Sequence, residues 1–430
     1  MDYKQLAETI LEKAKSRGAD MAECNVSRET LTEIDSNTGE IQLVRSVAGT
    51  NVSIKVITEQ RKGTISLNRT DEKSIDEALD HAFKNAKESA PDPAEGISDE
   101  QHNGTFQGGK LEPDRDRLFA LLDRLLNDVQ KEFPHLKLET ATIQHKREDS
   151  VYTNTNGVLH QTAYGINMIT CMFSGNDGEN AGSFNYFGIF IPDDCENLLE
   201  LDGVRRLFGE AEKQVKTETI GEETIGDVVF SPECFTTMLL FAKHILLGDL
   251  PLISGTTPLK DKLGQKIVSD KLTWRANPLD ERFVLNQHVT NDGYIVEDNL
   301  LIEKGVLKNY ALSRYGAKAS DGKRSGNISD MYVVEPGERS IDEIISGIKR
   351  GILVSRFSGG QPASNGDFSG VAKNSFLIED GKITKALNET MISGNLIELL
   401  QNIEALSSSQ HGDGARLVPW AQVKGINVTG

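Results

Sequence analysis

The sequence predicts an α+β protein with mostly antiparallel sheets. An N-terminal helix and antiparallel-sheet domain is followed by a strand-rich C-terminal domain that is barrel- or sandwich-like. Segments rich in β-branched residues and bounded by turn residues recur along the chain. Strands and helices do not alternate regularly, which disfavours a doubly wound nucleotide-binding fold. The 430 residues, 37% of them hydrophobic, are enough for two or three domains with buried cores.

The first predicted unit, an α+β subdomain over residues 1–88, contains two helices and several strands. Apolar residues at helical spacing predict a first helix that ends near Gly18, a residue type that favours helix ends. A second helix is predicted to begin at Ser74, whose hydroxyl would form a capping box with Glu77. The predicted strands between the two helices are 22–34, 41–47, 51–58 and 63–68.

Residues 89–113 are polar and contain Pro and Gly, so we expect a surface linker. A second α+β subdomain is predicted over 114–220. It begins with a helix whose apolar face runs from Leu118 to Val129. An antiparallel meander over 136–191 and a helix over 196–215 complete this unit.

The strand-rich C-terminal unit, 221–430, follows a boundary predicted between Gly221 and Gly226. Two similar hairpins are expected, because apolar strands flank turns that end at Gly305 and Gly381. The other predicted elements are a strand at 227–230, a buried helix at 232–247, and helices at 340–351 and 396–406.

Charge and cysteine content restrict the partners and the compartment. The 47 basic and 65 acidic residues give a net charge of −18, which repels phosphate, so we expect no direct nucleic-acid partner. The four cysteines are widely spaced, which argues against a disulfide framework and favours a reducing compartment. The N-terminus lacks a signal-peptide pattern, and no apolar run reaches membrane-spanning length. We therefore expect a soluble, cytoplasmic protein without membrane contact.

Common catalytic motifs are missing from the sequence. It contains neither a G-x-S-x-G elbow nor a Walker A loop. No two of the eight histidines are three or four residues apart, so no helix is expected to present a histidine pair to a metal. A lone histidine in an apolar helix, such as His244, is more often a core or boundary residue than a ligand.

Seven blocks in a fixed order give the chain a specific resemblance to the TldD/PmbA family. This family was named historically for modulation of DNA gyrase and is classed with the peptidases (U62-type). In its TldD branch, a His-Glu-x-x-x-His helix and a distant cysteine bind the catalytic metal, whereas the PmbA or TldE branch lacks them. The blocks are 263–269, 291–293, 301–310, 325–327, 365–369, 393–396 and 426–430.

Alignment with the TldD motif places Leu239 at the first histidine, Leu240 at the glutamate and His244 at the second histidine. Leucine can neither bind a metal nor transfer a proton. The loop 407–416 contains no cysteine, and the block 365–369 is of the PmbA type. The resemblance therefore implies a PmbA/TldE-like chain with no catalytic residue, no metal ligand and no cofactor of its own, and with zinc in a TldD-type partner.

The resemblance further implies a pseudoenzyme: a non-catalytic subunit of a heterodimeric TldD/TldE-type metalloprotease. This hydrolase complex would carry out proteolysis of unfolded or flexible peptides. A homodimer of this chain is an alternative assembly. Exposed strand edges suit β-augmentation of such peptides. Candidate peptide-binding residues are Asn327, Asp367, Phe368 and Ser369, although their glycine-containing turns favour a structural role.

Two other functions stay open. The chain could be a stand-alone TldD/PmbA-family metallopeptidase whose site combines His244 with remote groups or uses a different nucleophile. It could instead be a binding protein that modulates DNA gyrase or its antitoxin. The residues alone leave open whether the chain has any enzymatic activity of its own.

Overall fold

The computed structural model describes residues 2–221, 226–388 and 390–430. The α+β prediction is confirmed, because helices pack on two sheets that are mostly antiparallel. The helices are α1 Tyr3–Ser16, α2 Glu72–Glu88, α3 Arg115–Glu132, α4 Val204–Lys213, α5 Pro232–Ala242, α6 Asp249–Ser254, α7 Arg314–Ala319, α8 Ile341–Ser346 and α9 Leu396–Gln401.

The strands are β1 Met21–Asn37, β2 Glu40–Thr58, β3 Arg61–Leu67, β4 Gly104–Gly108, β5 Leu136–Asn154, β6 Leu159–Gly175, β7 Asn185–Ile191, β8 Asp227–Phe230, β9 Trp274–Ala276, β10 Asn299–Glu303, β11 Val306–Leu307, β12 Tyr332–Val334, β13 Arg350–Gly359, β14 Asp367–Glu379, β15 Lys382–Leu387, β16 Thr390–Asn395, β17 Ile403–Gly412, β18 Arg416–Lys424 and β19 Asn427–Thr429. A 3₁₀ turn covers Leu198–Glu200, and a π-helical turn, Lys243–Leu247, continues α5.

The N-terminal sheet has the strand order β3-β2-β1-β5-β6-β4, with β7 also paired to β6. Strand β1 runs antiparallel to β5, so the two predicted N-terminal units share one sheet. The segment 89–113, predicted as a surface linker, contributes β4, which runs parallel to β6. It also buries Ala94, Ile97 and Ser98. The linker is therefore structured, because pairing with β6 satisfies its backbone although apolar residues are few. The domain boundaries stay a prediction.

The C-terminal sheet has the order β11-β10-β9-β12-β18-β8-β13-β14-β16-β19, with β15 on β14 and β17 on β18. Among the described strands, β11 and β19 end the sheet and do not pair with each other, so no closed barrel forms. Residues 222–225, which make up most of the predicted boundary between Gly221 and Gly226, lie outside the described residues. No described helix is long and apolar enough to cross a membrane.

Helix α5 lies at the centre of the C-terminal core, which confirms the buried helix predicted at 232–247. Its start is specified locally: the Ser231 hydroxyl accepts a hydrogen bond from the backbone N–H of Cys234, and Pro232 occupies the first turn. Phe235 and Met238 are fully buried against the sheet. This apolar anchoring fixes the face that the helix turns toward the N-terminal sheet.

Both predicted hairpins are confirmed. Lys304 and Gly305 have φ values of 44° and 79°, and Asp380 and Gly381 have φ values of 45° and 76°. Two consecutive positive φ angles are typical of type I′ turns, in which glycine avoids strain. A Cβ on Gly305 would also lie 2.5 Å from the backbone oxygen of Val268, so close packing requires glycine there as well.

The start of α2 differs from its prediction. The helix starts at Glu72, and its N-cap is Asp71, whose carboxylate accepts a hydrogen bond of 3.1 Å from the backbone N–H of Ser74. The predicted capping box between Ser74 and Glu77 is therefore wrong. A carboxylate placed three residues before Ser74 already satisfies the free N–H group.

Two kinds of element differ in length from their predictions. The strands predicted at 41–47 and 51–58 form one continuous strand, β2, because β1 pairs with it along its whole length. The helices predicted at 340–351 and 396–406 end at Ser346 and Gln401, since the residues that follow enter strands β13 and β17. Pairing in the sheet overrides the local helical pattern at both ends.

Candidate functional site

Helix α5 and the π-helical turn after it carry the three positions that the resemblance aligns with the TldD metal motif. Leu239 is fully buried in the core, and Leu240 is partly buried. His244 lies in the π-helical turn, and its side chain is 61% exposed. Residues five apart point about 140° apart on a regular α-helix. Leu239 accordingly faces the core while His244 faces the surface.

His244 and its neighbour Lys243 both bind the carboxylate of Asp330. The His244 Nε2 atom is 3.2 Å from one oxygen of Asp330, and Lys243 Nζ donates to the other at 2.8 Å. Lys243 is buried and also donates to the backbone oxygens of Ile328 and Ser329. Burial lowers the pKa of Lys243 in spite of the nearby carboxylate. Burial alone would raise the pKa of Asp330, but the contacts with His244 and Lys243 outweigh it and hold that pKa far below its usual value.

The donor set at the motif positions does not fit a zinc ion. Zinc requires nitrogen, sulfur or oxygen ligands, and the side chains of Leu239 and Leu240 supply none. The ring nitrogen Nε2 of His244 is already bound to Asp330. Across the described ranges, no three His, Cys, Asp or Glu side chains are grouped so that they could hold a metal ion.

A cleft of about 230 Å³ opens between the N-terminal sheet and the start of α5. One wall is strand β7, and the other is formed by α5, including Leu240. Strand β13 and the loop between β17 and β18 complete the cleft. The polar or charged side chains that line it are Asn185, Asp202, Glu233, Thr236, Thr237, Ser355, Arg356, His411, Asp413 and Arg416.

Ion pairs organise most of the charge around the cleft. Glu233 is bound by Arg206, which also pairs with Glu210 at 3.0 Å. Asp413 is bound by Arg416 at 2.7 Å. Cys234 also lines the cleft, but burial raises the pKa of its thiol, so that thiol stays protonated at neutral pH.

Asp202 and His411 connect the N-terminal unit to the end of β17. His411 Nδ1 lies 2.7 Å from Asp202 Oδ1, and the backbone N–H of Gly412 donates to Asp202 Oδ2 at 2.9 Å. Burial alone would raise the pKa of Asp202, but the hydrogen bond from His411 outweighs it and lowers that pKa. On the opposite side of the ring, His411 Nε2 lies 3.3 Å from Ser409 Oγ.

The predicted peptide-binding residue Asn327 has a buried side chain. Its amide nitrogen donates to the backbone oxygens of Ala276 and Glu297, at 2.9 and 2.7 Å. Its amide oxygen accepts a hydrogen bond from the backbone N–H of Ser329. These bonds fix the chain before β12 and account for the asparagine without a ligand.

The other predicted peptide-binding residues lie at the start of β14. Phe368 is buried and packs edge-on against Phe357, with ring centres 5.8 Å apart. Asp367 and Ser369 are exposed, and Asp367 accepts a hydrogen bond from Asn395. Five strand spacings separate β14 from β9, which Asn327 contacts, or about 24 Å along the sheet. The structure therefore does not bring Asn327 and the β14 residues together, and their role in peptide binding stays a prediction.

Sequence reasoning missed the polar side chains of the cleft. Asp202, Arg356 and His411 are more than 50 residues apart along the chain and show no local spacing. An isolated arginine in a strand or an isolated aspartate in a loop carries no motif. They come together only in the folded structure, where the segment before α4, strand β13 and the end of β17 line the same cleft.

Comparison with known proteins identifies the class and then the family. Residues 223–430, which contain the C-terminal sheet, match a family model described as PmbA/TldA metallopeptidase C-terminal domain. Relatives align along nearly the whole chain as well. The C-terminal part of the chain, residues 223–430, belongs to the PmbA/TldD family, and the alignment with PmbA extends the likeness to the N-terminal sheet.

Two sequence relatives and one solved structure illustrate the likeness. The metalloprotease PmbA of Escherichia coli O157:H7 is 23% identical over 427 residues, covering 93% of this chain and 90% of that protein. A metalloprotease of Methanocaldococcus jannaschii is 22% identical, covering 90% of each chain. The crystal structure of TldE from Thermococcus kodakarensis has a TM-score of 0.83 at 22% identity, covering 99% of this chain and 100% of that one. At this identity, the TldE structure supports the fold.

Proposed function

We propose that this chain is the non-catalytic, PmbA/TldE-like subunit of a cytoplasmic TldD/TldE-type metalloprotease complex. In this heterodimer, a TldD-type subunit carries the zinc ion and cleaves unfolded or flexible peptides. The present chain helps to enclose and bind the peptide through the cleft between β7 and α5. The match to the family model and the names of its metalloprotease relatives support a role in proteolysis.

The observation that carries the proposal is the chemistry of the three motif positions. Leu239 is packed in the core, Leu240 has no donor atom, and His244 is held at the surface by Asp330. A water molecule cannot be activated by hydrocarbon side chains. The polar cleft beside them nevertheless provides donors and acceptors suited to a peptide.

The test is to purify this chain alone and together with a TldD-type subunit and to measure cleavage of casein. We expect cleavage only by the pair, and loss of cleavage when the partner's His-Glu-x-x-x-His histidines are replaced. His244→Ala in this chain should leave the rate unchanged, because that ring is exposed and hydrogen-bonds to Asp330 outside the cleft.

Three outcomes would contradict the proposal. One is casein cleavage by this chain alone with stoichiometric zinc, and another is loss of activity in the His244→Ala complex. The third is recovery of DNA gyrase from cell extract, with no TldD-type subunit, when this chain is used as bait. The last result would favour a gyrase-binding protein instead.

A second candidate function, hydrolysis by this chain itself, is favoured by one contact set. Ser409 Oγ, His411 and Asp202 are joined by distances of 3.3 and 2.7 Å, in the order of a Ser-His-Asp triad. In such a site Ser409 would be the nucleophile, His411 the base and Asp202 the group that orients the imidazole. Labelling by a fluorophosphonate probe, lost in Ser409→Ala, would support this activity. Absence of labelling in the wild type would exclude it.

A further inference from the structure

Arg356 in strand β13 has no carboxylate partner among the described residues. Its Nη2 atom donates to the backbone oxygen of Phe184 at 3.0 Å. The guanidinium carbon lies 4.7 Å from the ring centre of Phe184 and 5.7 Å from that of Tyr186. The Nε atom is buried and has no hydrogen-bond partner. Burial lowers the pKa of Arg356, as expected for a guanidinium held in a partly buried site without an opposing charge.

A second cation lies directly across the sheet from Arg356. Lys373 on β14 is its paired residue in the antiparallel ladder between β13 and β14. Lys373 Nζ contacts Ser183 Oγ at 3.2 Å, and no described carboxylate pairs with it. Like charges placed opposite each other destabilise a sheet. An anion bound between this pair and the segment Ser183–Tyr186 would remove that repulsion.

Asn185 supplies an unpartnered donor beside this arginine. Its side chain is 2% exposed and lines the cleft. The amide oxygen accepts the backbone N–H of Tyr186 at 2.9 Å, which fixes the orientation of the amide. The amide nitrogen Nδ2 then has no partner, although a buried donor normally has one. A ligand with an acceptor oxygen would satisfy it.

The remaining charges in the cleft are engaged within the protein. Asp202 is bound by His411 and Asp413 by Arg416. Glu233 is bound by Arg206 through Oε1, while its Oε2 atom is buried without a partner. The cleft therefore offers unpartnered donors at Arg356 and Asn185 and one unpartnered acceptor at Glu233, which suits a carboxylate next to a peptide N–H.

Strand β7 offers the cleft a backbone edge that β6 does not cover. The backbone N–H of Phe190 points away from β6 and donates to the backbone oxygen of Asp413 at 2.8 Å. Polar groups of residues two apart on a strand point to the same side, so Gly188, which lines the cleft, turns its N–H and C=O toward the open edge. An extended peptide can pair with β7 there by β-augmentation.

We propose that this cleft binds the carboxylate of an extended peptide, with Arg356 and Asn185 as its donors. The rings of Phe184 and Tyr186, 48% and 58% exposed, cover the guanidinium and move aside to pack against the residue that carries the carboxylate. The proposal rests on the proposed function only for its choice of a peptide as ligand. The carboxylate comes from the peptide C-terminus or from an Asp or Glu side chain.

The experiment measures binding of fluorescent eight-residue peptides to the full chain by anisotropy. Three peptides share one sequence: a free-acid form with one internal Glu, its C-terminal amide, and a form with that Glu replaced by Gln. The variants are Arg356→Gln and Lys373→Gln. The control is Arg350→Gln, which lies in the same strand but pairs with Glu379 away from the cleft. Circular dichroism and the melting temperature verify folding of each variant.

For the wild type, we expect removal of the recognised carboxylate to weaken binding about tenfold, the usual effect of losing one charge-assisted hydrogen bond. Loss on amidation identifies the C-terminus, and loss in the Gln peptide identifies the acidic side chain. Arg356→Gln should bind all three peptides equally weakly, Lys373→Gln should bind about threefold more weakly, and Arg350→Gln should match the wild type.

The proposal is overturned if the wild type and Arg356→Gln bind the three peptides with equal affinity, or if the wild type binds none of them. In either case, co-purification with a TldD-type subunit is measured separately. If the chain pairs with that subunit but shows no carboxylate preference, the proposed function stands and the carboxylate site is rejected. If the chain shows the preference but does not pair with such a subunit, the carboxylate site stands and the proposed function is rejected.

Discussion

The two walls of the cleft differ in what they can do chemically. The wall from α5 presents Leu240, which the resemblance aligns with the glutamate of the TldD motif, and Leu239, aligned with the first histidine, is buried in the core behind it. The facing wall, from β7, β13 and the end of β17, presents Asn185, Arg356 and His411. An apolar side chain from α5 thus faces polar side chains on the other wall. The comparison teaches that, in the proposed function, peptide binding depends on the polar wall of this chain and bond cleavage on the TldD-type subunit.

The largest expected effect is a difference in stability loss between alanine variants of the two adjacent leucines of α5. Leu239 is fully buried and Leu240 is partly buried at the cleft. We predict that Leu239→Ala lowers the free energy of unfolding by about 3 kcal/mol, because it leaves a cavity in the core. Leu240→Ala should cost less than half as much. Urea denaturation measures both, and equal losses would show that Leu239 is not the core residue described.

A smaller, pH-dependent effect on stability is expected at Asp330, which precedes β12 and binds Lys243 and His244 at the end of the same helix. Its pKa is lowered in the folded state, so its contribution is present above the unfolded pKa of about 3.9 and is lost as the pH falls below it. We predict that wild type loses about 1 kcal/mol more than Asp330→Asn between pH 5 and pH 2, a figure reduced for solvent screening. Parallel stability curves for the two proteins would contradict this.

The control for that comparison is Asp270→Asn. Asp270 forms an exposed ion pair with Lys266 at 3.4 Å. Asp270→Asn therefore removes one negative charge, as Asp330→Asn does, but does not remove the partner of a buried lysine. Its pH dependence should follow that of the wild type, since exposed pairs contribute little to stability.

The smallest expected effect concerns the polar wall. Asp202 and His411 join the N-terminal unit to the end of β17 through a partly exposed contact of 2.7 Å. A double-mutant cycle of Asp202→Ala and His411→Ala should give a coupling free energy of about 0.5 to 1 kcal/mol in urea denaturation. Full additivity would mean that the two residues do not hold the cleft together.

Local elements could be predicted from the sequence wherever one residue type decides the backbone. Gly305 and Gly381 identify their hairpins because a type I′ turn needs positive φ. Helix α5 was also predictable, because an apolar run that follows a serine and a proline is typical of the start of a buried helix. Predictions failed where distant strands decide the outcome: β1 makes β2 continuous, and β6 converts part of the expected linker into β4.

The candidate site was predictable only in its apolar half. Leu239, Leu240 and His244 lie close together in the sequence, so an alignment can compare them with a motif. Arg356 and Asn185 come from strands of different sheets, and their significance depends on which partners they lack. A missing partner is a property of three-dimensional packing, which no spacing in the sequence reports.

The most direct test of the central claim is the zinc content of the isolated chain and of its complex with a TldD-type subunit, measured by elemental analysis beside casein cleavage. We predict about one zinc ion per heterodimer, cleavage by the complex, and neither zinc nor cleavage for the isolated chain. One zinc ion per isolated chain, together with cleavage, would contradict the account of a subunit that lacks its own metal centre.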